Sequence, residues 1–377
     1  MKYICWSLLF LLFFACKTKQ EQSDYIPPMP DSVSYAVVLK ALSESIENTP
    51  SAVNLYQRAR LYMNLGQLQN ALSDINLAID KDNSQPKFYL LRATIHHGRK
   101  STNQALSDAF KAEQLQLNDQ ELFILLGELF YQKKNYAKSL QNLEKALKIS
   151  PFSERAWYWR ANSTLADQNI RQGIEFYKVS LRHNPEFTAA HHQLASVYNQ
   201  IQNFDTARYY ALEGIRIKPT QGDLYFQLAE TYKFTERLDT AKTLYLKAVE
   251  KDAGLYAAYF ELGLLEFRAK NYLQTITYFE KIEKNKKEFT GYDELLARSY
   301  DLTGQFEKSY KQYVYVLNQS EVSMQSIERY GQLKNYFQAL KYQAYLDSLQ
   351  NLYPQRFIRP TPKIEKIEPI KPIEIRK

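Results

Sequence analysis

Two cysteines in 377 residues, Cys5 and Cys16, leave no material for a disulfide framework or a cysteine-based zinc site. Glycine is equally sparse: 11 residues, well under the usual share of about 7%, suit helices joined by tight turns and supply no Gly-rich phosphate loop. HExxH and CxxC motifs are missing too. His96-His97 and His191-His192 are adjacent pairs whose members point about 100° apart on a helix, so neither pair converges on one ligand. The sequence therefore predicts no catalytic residue, no metal and no cofactor. The formal charge of +8 is not gathered into a stripe. Residues 354–377 hold seven Lys/Arg against three Asp/Glu, and the remainder is a mixed solvated surface, which argues against a nucleic-acid partner.

Long apolar runs are missing as well. The longest, Ile4 to Cys16, would make about 20 Å of helix where a bilayer core needs about 30 Å. With Lys2 ahead of it and Ala15 just before Cys16, the run reads as a secretory signal over 1–15. Its tail, Phe13-Phe14-Ala15-Cys16, resembles a bacterial lipobox in relaxed form, with Phe where Leu and a small residue are usual. That resemblance implies lipid attachment at Cys16, palmitate among the acyl chains, and a protein held on the bacterial cell envelope, at the outer membrane. Residues 16–31, polar and then Pro-rich, read as a tether.

What the chain has in abundance is a period. Ala71, Ala105, Ser139, Gly173, Ala207, Ala241, Thr275 and Ser309 stand 34 residues apart. Twelve residues earlier in each unit come Ala59, Ala93, Gly127, Ala161, Ala195, Ala229, Gly263 and Ala297. A third column holds Ala78, Ala112, Ala146, Ser180, Gly214 and Ala248 before relaxing to Ile282 and Val316. Small side chains at fixed places let two helices cross at close range. Large residues at i, i+3, i+4 and i+7 around them form one apolar stripe on a first helix. Pro151, Pro185 and Pro219 mark where second helices stop.

These columns resemble the tetratricopeptide repeat family across about three quarters of the chain. The expected fold is all-α: a right-handed α-solenoid of eight 34-residue helix-turn-helix units starting at 52, 86, 120, 154, 188, 222, 256 and 290. Capping helices close both ends, one helix over 32–51 and a hairpin over 324–353. A Pro/Lys/Glu/Ile tail, 354–377, reads as disordered. Charge pattern adds two partly buried ion pairs, Arg58 with Asp74 and Arg92 with Asp108. Arg160 has Phe176 where the acid would be, which points it to Glu175.

The resemblance implies a scaffold that binds peptide or protein partners along the first helices. The groove residues it selects are Glu128, Tyr131, Tyr158, Asn162, His192, Phe226, Glu230, Lys233, Phe260 and Phe267. An equally weighted alternative makes the aromatic members of these rows plain scaffold. The rows lack the paired Lys and Asn with which some members of the family clamp a terminal carboxylate. A different function class, glycan or nutrient capture by a surface lipoprotein, is the runner-up, and the unbroken register counts against it.

Overall fold

A computed structural model describes residues 35–318 and 322–352. The expected signal peptide, the Cys16 anchor, the tether and the C-terminal tail lie outside the described residues. The chain packs as two compact units that divide between Asn118 and Asp119.

In the first unit, α1 (Tyr35–Asn48) precedes the pairs α2/α3 (Ala52–Asn64, Leu68–Lys81) and α4/α5 (Pro86–Gly98, Thr102–Gln114). In the second, four pairs have nearly uniform lengths: α6/α7 (Gln120–Gln132, Tyr136–Ile149), α8/α9 (Glu154–Ala166, Ile170–His183), α10/α11 (Thr188–Gln200, Phe204–Ile217) and α12/α13 (Gly222–Phe234, Leu238–Lys251). Then come α14/α15 (Tyr256–Arg268, Tyr272–Glu280), a 3₁₀ turn at Glu283–Glu288, α16/α17 (Tyr292–Leu302, Phe306–Leu317) and a single long α18 (Met324–Leu352). No strand occurs among the described residues.

The turn inside each pair repeats one device. Gly66, Lys100, Lys134, Gln168, Gln202, Glu236, Lys270 and Gly304 all take positive φ, between 57° and 75°, although only two are glycine. Each closes the preceding helix with paired backbone bonds, as where Lys134 N donates to Tyr131 O at 2.8 Å and Asn135 N to Phe130 O at 2.9 Å. The next residue then caps the second helix. Asn135, Asn169 and Asn203 accept a backbone N–H three residues on with their side chains.

All three small-residue columns are buried, the alanines to 0% exposure. Where a column carries a hydroxyl, it is used. Ser139 Oγ donates to Gly127 O at 2.6 Å and Ser309 Oγ to Ala297 O at 3.0 Å, which ties the second helix to the backbone of the first at their closest approach. In four repeats the residue four before the small first-helix position locks the turn that leads into its helix. Tyr89, Trp157, His191 and Tyr225 bond the carbonyls of Asn83, Pro151, Pro185 and Pro219 at 2.8–3.2 Å. Phenol, indole and imidazole thus reach the same point of the turn. For His191, a carbonyl partner requires the proton on Nε2.

Three expectations are corrected. The C-terminal cap is one helix, not a hairpin. α18 starts 34 residues after the eighth register start, but Ala339 stands where the second helix of a pair needs its cap. Gln338-Ala339-Leu340 are strong helix formers with no capping side chain, so the helix runs on. The eighth unit also enters late, at Tyr292 instead of 290, because α15 stops at Glu280. Ile282, fully buried, occupies the close crossing where earlier units have Ala, Ser or Gly. The larger side chain is accommodated by the 3₁₀ turn, and Gly291 at φ +81° redirects the chain into α16. Finally, Arg160 does not meet Glu175, which pairs with Lys178 at 2.9 Å. Its guanidinium lies over the rings of Phe176 and Trp157, at 4.6 and 5.3 Å, so the aromatic that displaced the acid became the partner.

The other arginines hold carboxylates in fork geometry. Arg58 reaches Asp74 at 2.6 and 2.8 Å and Ser43 of α1 at 3.1 Å, which ties the N-terminal helix down. Arg92 reaches Asp108 at 2.8 and 2.7 Å and Asn76 at 3.0 Å. Close by, His96 is 7% exposed. Desolvation pushes its pKa below the ordinary imidazole value, outweighing the pull of Asp108, and Arg92 and Arg99 push the same way. A histidine held neutral in the fold but protonated in the unfolded chain stabilises above about pH 6.5, and that contribution is lost as pH falls. The urea midpoint is therefore expected to drop between about pH 7.5 and 5.5, and His96→Gln to flatten that dependence. An unchanged slope in the variant would assign it elsewhere.

Candidate functional site

The first helices of the second unit adjoin one another, α6 with α8 and α10 with α12, so their outward residues form one face. The selected groove residues fall into three rows along the first helices, Tyr158, His192, Phe226 and Phe260 in the first, Glu128, Asn162 and Glu230 four residues on in the second, and Tyr131, Lys233 and Phe267 in the third. These rows occupy different depths. The first row is mostly filling. Tyr158 packs against Tyr177 and Phe187 at 5.7 and 5.3 Å, Phe226 against Tyr245 at 5.6 Å, and Phe260 is stacked against Phe279 and Phe289 at 5.5 and 4.8 Å. His192 is half-buried beside Gln227, their side-chain nitrogens 3.4 Å apart. Burial pushes its pKa down, and Asp223 partly offsets this.

The second and third rows line two clefts. The first cleft, about 510 Å³, lies among α6, α8, α9 and α10 and is lined by Tyr131, Asn162, Leu165, Gln168, Ile170, Tyr177, Gln193, Ser196, Val197 and Gln200. None of these side chains is ionised. Asn162, 7% exposed, accepts from the Tyr177 hydroxyl at 2.7 Å through Oδ1. The Asn162 and Gln193 side chains hydrogen-bond to the Tyr158 hydroxyl. Burial, the larger effect, pushes that phenol up, and the two amides pull it back. Tyr131 rests on Trp159 and Tyr136, with centroids 5.5 and 5.8 Å away.

The second cleft, about 590 Å³, lies on α12 and α14 and is charged: Lys233, Glu236, Glu261 and Arg268 share its lining with Phe234, Leu238, Leu264 and Leu265. Lys233 Nζ sits between Glu230 and Glu261, at 2.9 and 3.0 Å. The fully buried Tyr245 donates its hydroxyl to Glu230. Burial raises the Glu261 carboxyl, and Lys233 lowers it in part. Phe267 lies next along the face, with the Arg298 guanidinium 5.5 Å above its ring. Glu128 is half-buried on α6.

Sequence reasoning missed several of these contacts. Glu261 was not among the selected residues, although it stands one register step from Gln227 and two from Gln193. Glu266, 3% exposed, takes Lys242 at 2.6 Å and Asn271 at 2.8 Å beside a third cleft of about 730 Å³. Lys242, one residue after the small column, was the available signal. Among the described residues no group of three or more His, Cys, Asp or Glu could hold a metal ion. No described helix is long and apolar enough to cross a membrane.

Comparison with known proteins agrees with this architecture. The tetratricopeptide repeat model matches residues 52–84, 120–153 and 222–253. The chain is 33% identical over 102 residues to the peroxisomal targeting signal receptor of Saccharomyces cerevisiae, of which it spans only 16%. It is 22% identical over 307 residues to the TPR repeat-containing protein YpiA of Bacillus subtilis, covering 72% of both chains. A crystal structure of a tetratricopeptide repeat protein from Parabacteroides merdae superposes with a TM-score of 0.53 at 17% identity, covering 61% of this chain and 92% of that one. The chain carries tetratricopeptide repeats, arranged as an α-solenoid.

Proposed function

We propose that this tetratricopeptide-repeat chain is a protein-interaction scaffold, lipid-anchored through Cys16 on the bacterial cell envelope, that binds peptide or protein partners along its first-helix face. The observation that carries the reading is the face of the second unit. Two successive clefts of contrasting chemistry, one neutral and one charged, sit on rigid helices whose own core is satisfied elsewhere. Such a surface selects a partner by what each cleft rejects as well as by what it accepts. The residues that line the clefts bind; no group among them is arranged as a nucleophile with its base.

The anchor and the scaffold are tested separately. Cys16→Ser is expected to abolish incorporation of labelled palmitate and to move the protein from the membrane to the soluble fraction. Retention of label in the variant would refute the anchor. For the scaffold, the intact protein is used to capture partners from solubilised envelope, beside a variant carrying Ser196→Arg and Arg268→Glu. Discrete proteins held by the first and lost from the second are the expected result. Capture that ignores both substitutions, or retention of polysaccharide in place of protein, would replace this reading with nutrient capture.

A further inference from the structure

α18 begins where a ninth first helix would begin, and among the described residues no second helix follows to pair with it. Its pairing face is open. Gly331 continues the small-residue column of Gly127, Gly263 and Ala297. A Cβ at Gly127 or Gly263 would collide with Leu143 or Phe279 of the second helix, whereas nothing lies within 4 Å of one at Gly331. Met324, Ile327, Tyr342 and Tyr345 share that side of α18 and are exposed. The opposite side packs on α17, with Leu333 in one cluster with Tyr313 and Val316.

Leu346 departs from this pattern. It stands one turn beyond Tyr342 on the open side, yet it is 6% exposed. Neighbours on the same helix cover only part of a leucine, so burial this deep requires apolar atoms from outside α18. α17 does not supply them, because Leu340 and Ala344, on its side of α18, are themselves exposed. We propose that the C-terminal segment 354–368 of this same chain folds back along α18 and takes the place of the missing second helix, with Phe357 and Ile358 over Leu346 and Ile364 and Ile367 at the Met324 end.

Length and register select this occupant. Pro354 stands two residues past the end of α18 at Leu352 and cannot continue it. Leu352 back to Leu346 is about 9 Å of helix, and Pro354 on to Phe357 is about 9 Å of polyproline II chain. A second coincidence follows. Leu346 to Ile327 is about 28 Å along the helix, and Ile358 to Ile367 is about 28 Å along the strap, so two apolar ends meet two apolar ends. Between them, the stretch 359–363, with Pro360 and Pro362, passes the polar Asn335 and Gln338. Ile364 and Ile367, three residues apart, fall on one edge of such a chain. The same register sets Glu365 near Lys334 and Lys366 near Glu328. A second copy fits less well. Antiparallel pairing that put Tyr345 opposite Gly331 would also put Lys334 opposite Lys341, two like charges on one flank.

The test uses the full chain with photoreactive p-benzoylphenylalanine in place of Tyr345, whose exposed ring adjoins Leu346. The expected product is a cross-link within one chain, to a peptide from residues 354–368, in a yield that dilution leaves unchanged. A link between two copies would give the face to a dimer, and a link to another envelope protein would give it to a partner. Either result, or no link at all, overturns the proposal. Hydrogen exchange supplies a second measurement that leaves the solenoid untouched. Phe357→Ser together with Ile358→Ser is expected to speed exchange over residues 342–352 about tenfold or more, with α16 unchanged. Equal exchange over 342–352 in the parent and the variant would also overturn it.

Discussion

Replacing Arg329 with methionine is expected to destabilise the C-terminal end of the second unit by about 3–5 kcal/mol, the usual cost of leaving one member of a buried ion pair alone. Arg329 on α18 is 4% exposed and Asp301 on α16 is 0% exposed. Two bonds join them, at 2.8 and 2.6 Å, and Gln332 holds the remaining guanidinium nitrogen at 2.8 Å. Methionine approximates the volume of arginine and so isolates the electrostatic loss from a cavity effect. The carboxylate of Asp301 would be left beside Tyr313, shielded from solvent at 0% exposure. Repeat stacks unfold in parts, since each helix pair contacts only its neighbours. The measurement is therefore hydrogen exchange on α17 and α18 alongside a urea titration. Adding Asp301→Leu to Arg329→Met is expected to recover most of the loss, because an apolar pair of similar volume is often as stable as a buried salt bridge. Loss of protection spread evenly over both units, or no rescue in the double variant, would contradict this account.

Gly263→Ala is expected to destabilise by about 1–3 kcal/mol, although alanine is the better helix former by about 1 kcal/mol. A Cβ at Gly263 would lie 2.2 Å from Cε1 and 2.5 Å from Cδ1 of Phe279. That ring cannot retreat. It is 0% exposed, stacked on Phe260 at 5.5 Å and against Tyr292 at 5.3 Å. Gly331→Ala is the internal control, because nothing lies within 4 Å of a Cβ there and the residue sits inside α18. It should stabilise by about 1 kcal/mol through helix propensity alone. Opposite signs for two identical substitutions, read as shifts in urea midpoint, are the expected result. Phe279→Leu should relieve Gly263→Ala more than it harms the parent, a coupling that a double-mutant cycle reads directly. Equal signs at the two glycines would mean that α14 and α15 are not in close contact.

These two results bear on what was legible beforehand. Gly263 was visible in the sequence because a small residue every 34 positions has few explanations besides close helix crossing. Arg329 was not. It lies five residues into α18, whose first residue Met324 stands at the ninth register start and so resembles a continuing repeat, and only the absence of a cap at Ala339 separates a long helix from a hairpin. Propensity differences of a few tenths of a kcal/mol decide that, and a pattern of residue types does not display them. Arg160 shows the same limit. Its missing acid was apparent, but the choice between Glu175 and the faces of Phe176 and Trp157 depends on which lies within about 6 Å in space.

The candidate site divides along the same line. Residue spacing was enough to assign the rows to the first helices, because a 3.6-residue turn puts positions four apart on one side. Depth was not assigned by spacing. Tyr158, Phe226 and Phe260 stand in the same row as His192, yet the rings are taken up by Tyr177, Tyr245 and Phe279 from the second helices, so that row fills the joint more than it faces a partner. By itself the sequence determined the repeat length, the pairing of helices and the two Arg–Asp forks, since each follows from contacts inside a 34-residue unit. The tertiary structure alone decided where the stack ends, which aromatic rings are spent on packing, and that the Asn162 amide meets the Tyr177 hydroxyl. Those outcomes depend on side chains from neighbouring units competing for the same space, and no single unit contains that information.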